Sequence, residues 1–204
     1  MVREVGNSLA STADSIRAEG RFTDAAEYYS RAAFECFGDG VSAPYGITTS
    51  FGEQYLLESA TCHLISGNQN RLENRAKIGI LVAEDVLNRE CDQRLTSAYD
   101  QARRGAWYEF IGDFRLLRGD DPSRSYDQAR NMYQKFGDPP ASLAEQEHLN
   151  LFAFYRSVLR IADGDPMVQQ ETIDEGSLCE WVDHKESTLP ESIEDVREME
   201  SKNS

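Results

Sequence analysis

Residues 19–38, EGRFTDAAEYYSRAAFECFG, constrain the fold more than any other stretch of this chain. Gly20 is followed two residues on by Phe22, and then by Ala25, Tyr29 and Ala32 at helical spacing. A glycine lets the backbone leave one helix and turn into the next. An aromatic just past the turn fills the space where two antiparallel helices diverge. Small residues one turn on either side of a ring then specify a close helix contact, as ridges meet grooves. The stretch predicts a helical hairpin.

The rest of the chain follows the same period. Apolar residues recur at three- and four-residue spacing nearly everywhere, and alternating strand-like runs are missing. The pattern predicts an all-α domain over residues 1–164. Its seven helices cover about 3–19, 22–37, 51–66, 71–89, 92–118, 122–136 and 141–163. A Gly/Pro/Ser/Thr loop, GDGVSAPYGITTS, separates the second from the third. The fifth has room to bend at Gly105 or Gly112. Asp121-Pro122 reads as an N-cap followed by Pro at the first helical position, and GDPP at 137–140 as a stop. Stacked helical hairpins and an irregular helix bundle both satisfy this pattern.

The spacing around Gly20 resembles the tetratricopeptide repeat, a helix–turn–helix unit of about 34 residues. The first helix supplies Leu9, Thr12, Ala13 and Ile16 in register. Gly20 and Phe22 form the turn, and Ala25, Tyr29 and Ala32 follow. Phe37 stands where the family has its terminal proline. A second copy reads Leu56, Ser59, Ala60, His63 and Gly67, then Ala76, Ile80 and Ala83. A third reads Tyr108, Ile111, Gly112, Arg115 and Gly119, then Tyr126, Ala129 and Tyr133. Ala13, Ala60 and Gly112 mark corresponding points, wider apart than the family's unit, so the helices and loops are enlarged. The resemblance covers about residues 6–136 and implies a helical-repeat α-solenoid, with the seventh helix as a cap. The superhelix of soluble fusion-attachment adaptors is a second resemblance, favoured by the long fifth helix.

Such a repeat implies protein binding in a concave groove lined by the first helix of each hairpin. The corresponding positions are Asn7, Ala10, Asp14 and Arg17, then Gln54, Leu57, Thr61 and Leu64, then Glu109, Asp113 and Leu116. Asp14, Glu109 and Asp113 repel a carboxylate-ended ligand, so the resemblance implies an apolar or basic partner segment. It implies an adaptor, not an enzyme. A ligand-sensing or regulatory domain acting on an effector is the alternative.

Composition narrows the partners. The formal net charge is −15, and residues 165–204 alone hold twelve Asp/Glu against three Lys/Arg. No basic patch suggests nucleic acid. Lysine occurs only at positions 77, 135, 185 and 202, against seventeen arginines. Arg over Lys with abundant acid resembles the protein composition of a salt-in halophile, where salt screens self-repulsion. On that reading, helical circular dichroism should fall as salt drops from about 2 M to about 0.1 M, because the screening length grows several-fold. Equal stability at both would contradict it. MVREVGNSLASTADSI lacks the apolar core of a signal peptide, and no apolar run approaches a membrane span, so a cytoplasmic location is expected.

No phosphate loop, nucleotide fingerprint or nucleophile elbow is present. His63 falls at a packed aromatic position. Glu145-x-x-His148 is half of a di-iron motif with no second half, and Cys179 and His184 lack a second ligand pair. No catalytic residue, cofactor or metal is therefore expected. Cys36, Cys62 and Cys91 read as small buried hydrophobes. The acidic tail, 165–204, reads as largely disordered with a short helix from Pro190 to about Glu200. Within it, SLCEWVDH at 177–184 is an apolar island. Leu178 and Trp181 are expected to dock it, either on the protein's own groove over Leu57, Leu64 and Leu116 or on a partner.

Overall fold

Four glycines end helices here, and the backbone shows why glycine is required. Gly20, Gly67, Gly119 and Gly137 have φ of 76°, 68°, 81° and 85°. In each case the glycine N–H bonds three residues back and the next N–H five residues back, as in Gly20 to Arg17 and Arg21 to Ile16. These are Schellman caps, which satisfy the last carbonyls of a helix at a left-handed residue. At the other end of a turn, Asp121 accepts the Ser123 N–H at 3.0 Å, as an N-cap does.

A computed structural model of the chain describes residues 2–40, 47–90, 98–135, 137–140, 146–163 and 176–203. Among these it is all-helical. The helices are α1 (Val2–Ala18), α2 (Phe22–Gly40), α3 (Ile47–Ile65), α4 (Gln69–Glu90), α5 (Ala98–Arg118), α6 (Ser123–Lys135), α7 (Gln146–Asp163) and α8 (Leu178–Asn203). Among the described residues no helix is long and apolar enough to cross a membrane.

From α1 to α6, consecutive helices pack antiparallel. In α1/α2, Gly6 lies against Ala32 and Cys36 at one end, and Asp14 accepts the Tyr29 hydroxyl nearer the turn. In α2/α3, Gly52 faces Phe37, and the hydroxyls of Ser30 and Ser59 meet at 2.8 Å. In α5/α6 the volumes are exchanged: the rings of Tyr126 and Tyr133 stand on the second helix, and Gly112 and Gly105 on the first receive them. Gly79 of α4 receives Phe114 of α5 in the same way. Gly105 and Gly112 are thus sockets within one continuous α5. The loop expected between the second and third helices is also shorter, since α2 runs to Gly40 and α3 starts at Ile47.

The later helices depart furthest from expectation. α7 packs on α3 and α5, and α8 lies on α7, α6 and α3. α7 buries Leu151, Phe152, Phe154, Tyr155, Val158 and Leu159 on one side and exposes Leu149 and Arg160 on the other. α3 is consequently enclosed, with an unbroken buried run from Tyr55 to Ile65. A helix buried on every side has no amphipathic stripe. Residues 178–203 are one helix in place of a largely disordered tail, and Pro190 lies inside it. The reason is a buried stripe, Leu178, Val182, Lys185, Leu189, Ile193 and Val196, at spacings of three and four.

Candidate functional site

The groove positions of the third hairpin are buried under α8. Glu109 and Asp113 are one helical turn apart on α5, and both are wholly buried. Lys185 of α8 is wholly buried between them. Its Nζ lies 2.6 Å from Glu109 Oε2 and 3.1 Å from Asp113 Oδ1. The Trp181 indole N–H, one turn earlier on α8, donates to Glu109 Oε2 at 3.1 Å. From α6, the Tyr126 hydroxyl donates to Asp113 at 2.8 Å and the Tyr133 hydroxyl to Glu109. Two carboxylates, one ammonium, two phenols and an indole thus satisfy one another in a water-excluded cluster, as buried charge requires.

The electrostatics follow from that burial. Loss of solvent pushes the Asp113 carboxyl up to about 6, against the pull of Lys185. Burial works to discharge Lys185, but the Asp113 and Glu109 carboxylates outweigh it and hold the ammonium above its ordinary range. Burial, then the neighbouring carboxylates, pushes the Tyr126 and Tyr133 phenols well above theirs. Lys185 is the seat's central charge.

Trp181 is only 4 % exposed. It stands edge-on to Phe152 and Tyr155 of α7, with ring centroids 4.6 and 4.9 Å away. These rings of α7 are the aromatic ground on which it rests. Leu57 and Leu64 are buried and Leu116 is half-buried. Leu178 is also buried, and its N–H donates to the Pro139 carbonyl at 3.0 Å, which ties the start of α8 to the GDPP loop. Asp183 and Glu186 are taken up by Arg130 of α6.

The first two hairpins hold the other groove positions. Arg17 Nη1 lies 2.6 Å from the buried Glu58 of α3 and donates to Ser157 Oγ of α7 at 2.7 Å. Ser157 in turn donates to Glu58 at 2.7 Å. Asp14 accepts from Arg17 at 3.0 Å, Asn7 accepts the Tyr55 hydroxyl at 2.9 Å, and the buried Thr61 hydroxyl bonds back to the Leu57 carbonyl. Gln54 and Ala10 line the same helices, Gln54 half-buried and Ala10 buried. Arg17 therefore ties α1, α3 and α7 together, far in sequence from the α8 seat. Lys185, Glu58, Ser157 and Arg130 escape a reading by repeat position. Lys185 alone carried a signal, as one of four lysines in an arginine-rich chain.

One buried carboxyl has no such partners. Both oxygens of Glu53, on α3, are buried without a hydrogen bond. Burial pushes this carboxyl well above its ordinary value. An acid whose pKa is raised in the fold stabilises most below its unfolded value and loses that contribution as pH rises towards the folded value. Glu53→Leu should therefore remove a downward slope in unfolding free energy above about pH 4.5, worth up to about 1.4 kcal/mol per pH unit. Denaturant unfolding at pH 5 and pH 8 measures it. An unchanged difference between the two pH values would show that Glu53 is solvated.

Among the described residues, no group of three His, Cys, Asp or Glu side chains could hold a metal ion. His63 is buried and pushed down to about 4, by burial first and Arg75 second. His148 stacks at 5.8 Å from Tyr133, while Glu145 lies outside the described residues. Cys179 lies against the Arg130 carbonyl, its thiol pushed up to about 12 mainly by burial, and His184 meets the Tyr155 hydroxyl at 2.9 Å. Cys36 and Cys62 are buried thiols outside any disulfide, and Cys91 is outside the described residues. No protein-family model matches the chain, and neither a curated protein nor a solved structure is significantly similar to it.

Proposed function

We propose that the chain is a non-catalytic, cytoplasmic scaffold of stacked tetratricopeptide-like hairpins, an adaptor that binds a partner segment at the α5/α6 seat on which α8 now rests. The observation that carries this reading is the seat of Trp181 and Lys185. Glu109 and Asp113 suit an apolar and basic segment, and the segment resting there has that chemistry on one helical face. The glycine-capped antiparallel hairpins support the repeat architecture. On this reading α8 is a resident ligand, and a partner helix with an aromatic residue four before a lysine competes for its place.

Immobilised full-length chain tests the proposal against cell extract at high salt, with a peptide of residues 177–192 as competitor. One stoichiometric protein should be released by that peptide and retained when the peptide carries Lys185→Glu. Release of nothing, or equal release by both peptides, would overturn it. A ligand-sensing domain is the second reading, and a cleft on the other side of α5 favours it.

A further inference from the structure

In a chain with 36 carboxylate side chains against 21 cations, an arginine without a carboxylate needs a reason. Eight of the described arginines pair with Asp or Glu. Arg31, Arg75, Arg115, Arg124, Arg156 and Arg160 form no such pair among the described residues, and of these Arg115 and Arg124 alone line one cleft, of about 310 Å³, between α4, α5 and α6. That volume is at the lower end of small-molecule sites, about 300–1,000 Å³.

The lining is arranged by chemistry. Arg115 donates one Nη1–H to the buried Ser125 hydroxyl at 3.0 Å, which fixes it against the first turn of α6. The rest of its guanidinium has no acceptor among the described residues, and neither has Arg124. The Ser125 hydroxyl proton and the Gln128 amide add donors beside them. Leu87 and Ile111 are buried at the apolar wall, with the Tyr108 ring next to them. Glu84 stands on the α4 side, exposed, and disfavours a second anionic group there. Asp121 is the other nearby carboxylate; it accepts from the Ser123 N–H and hydroxyl and feels the Arg115 charge without pairing with it.

We propose that this cleft binds a small phosphate ester with one ring, its phosphate on Arg115, Arg124 and Ser125 and its ring against Tyr108, Leu87 and Ile111. Guanidinium forks match the geometry of phosphate oxygens, and a serine hydroxyl completes a three-donor cradle. The site lies across α5 from the α8 seat, so its occupancy can be measured separately from partner binding.

Phenyl phosphate is the probe, with inorganic phosphate, phenol and benzoate as controls, titrated into full-length protein by NMR at constant ionic strength balanced with chloride. Phenyl phosphate should saturate while shifting the Tyr108 ring signals, at least tenfold tighter than inorganic phosphate or benzoate, and phenol should not bind. Arg124→Gln should weaken phenyl phosphate at least tenfold with the fold intact, because Arg124 has no protein partner to lose. Arg115→Gln should do the same, with thermal unfolding to report any loss of its bond to Ser125. Non-saturating shifts, equal affinity in Arg124→Gln, or tighter benzoate than phenyl phosphate would each overturn the proposal.

Discussion

Lys185→Met is expected to lower the unfolding free energy by about 3–5 kcal/mol, the cost of stranding buried charge when one partner is removed. The two carboxylates it leaves are both wholly buried and only one helical turn apart. Salt should rescue little of this loss, because buried pairs are screened far less than exposed ones. A control separates charge from packing. Adding Glu109→Gln and Asp113→Asn to Lys185→Met makes the cluster neutral and leaves the hydroxyls of Tyr126 and Tyr133 and the Trp181 indole with amide oxygens to bond. The triple variant should recover most of the loss. Lys185→Arg should not be tolerated as a conservative change, since the planar fork is larger than the ammonium seated between the two acids. Denaturant unfolding of the four proteins measures all of this, and a cost below about 1 kcal/mol for Lys185→Met would mean that the ammonium is hydrated.

Gly112→Ala is the second large effect. At an exposed helical site this change would stabilise by about 1 kcal/mol through helix propensity. Here an added Cβ would lie 2.7 Å from Cδ1 of the wholly buried Tyr126 ring, closer than real Cβ contacts allow. Overpacking of this kind costs about 1–3 kcal/mol, so the sign should reverse. Tyr126→Phe should not rescue it, because the ring remains. Tyr126→Leu should couple with it in a double-mutant cycle, each change costing less in the presence of the other. Gly105→Ala should behave likewise towards Tyr133, whose Cζ would be 2.6 Å away. Stabilisation by either alanine would show that these glycines are not sockets.

How much of this was legible depended on whether a residue's role was local. The turns at Gly20, Gly67 and Gly119 and the stop at Gly137 follow from backbone chemistry inside a few residues, and most helix boundaries agree within a few residues. The sockets were half-legible. Gly105 and Gly112 were visible as anomalies in a helix, but only the ring across the interface shows that they receive a side chain. The tail was misread because its overall composition outweighed its period. Leu178, Val182, Leu189, Ile193 and Val196 share one face, but Lys185 interrupts the stripe and Pro190 looks like a start. A charged residue reads as solvated until its two carboxylate partners, 72 and 76 positions earlier, are known. Arg17 is similar, since its partner Ser157 lies 140 residues away. Groove positions carried over by register placed Glu109 and Asp113 on one face, and could not tell that the same chain covers them.

The central claim is that α8 occupies the α5 face through Trp181 and Lys185, and Trp181 reports on it directly. Trp107, the other tryptophan, is wholly buried, so Trp107→Phe leaves a single emitter. In that background, at high salt and at a concentration where the protein sediments as a monomer, Trp181 emission should be blue-shifted and protected from acrylamide. Lys185→Glu should move it to the red and open it to the quencher, because two carboxylates then face a third. A solvent-like, freely quenched Trp181 in the otherwise unaltered chain would contradict the account.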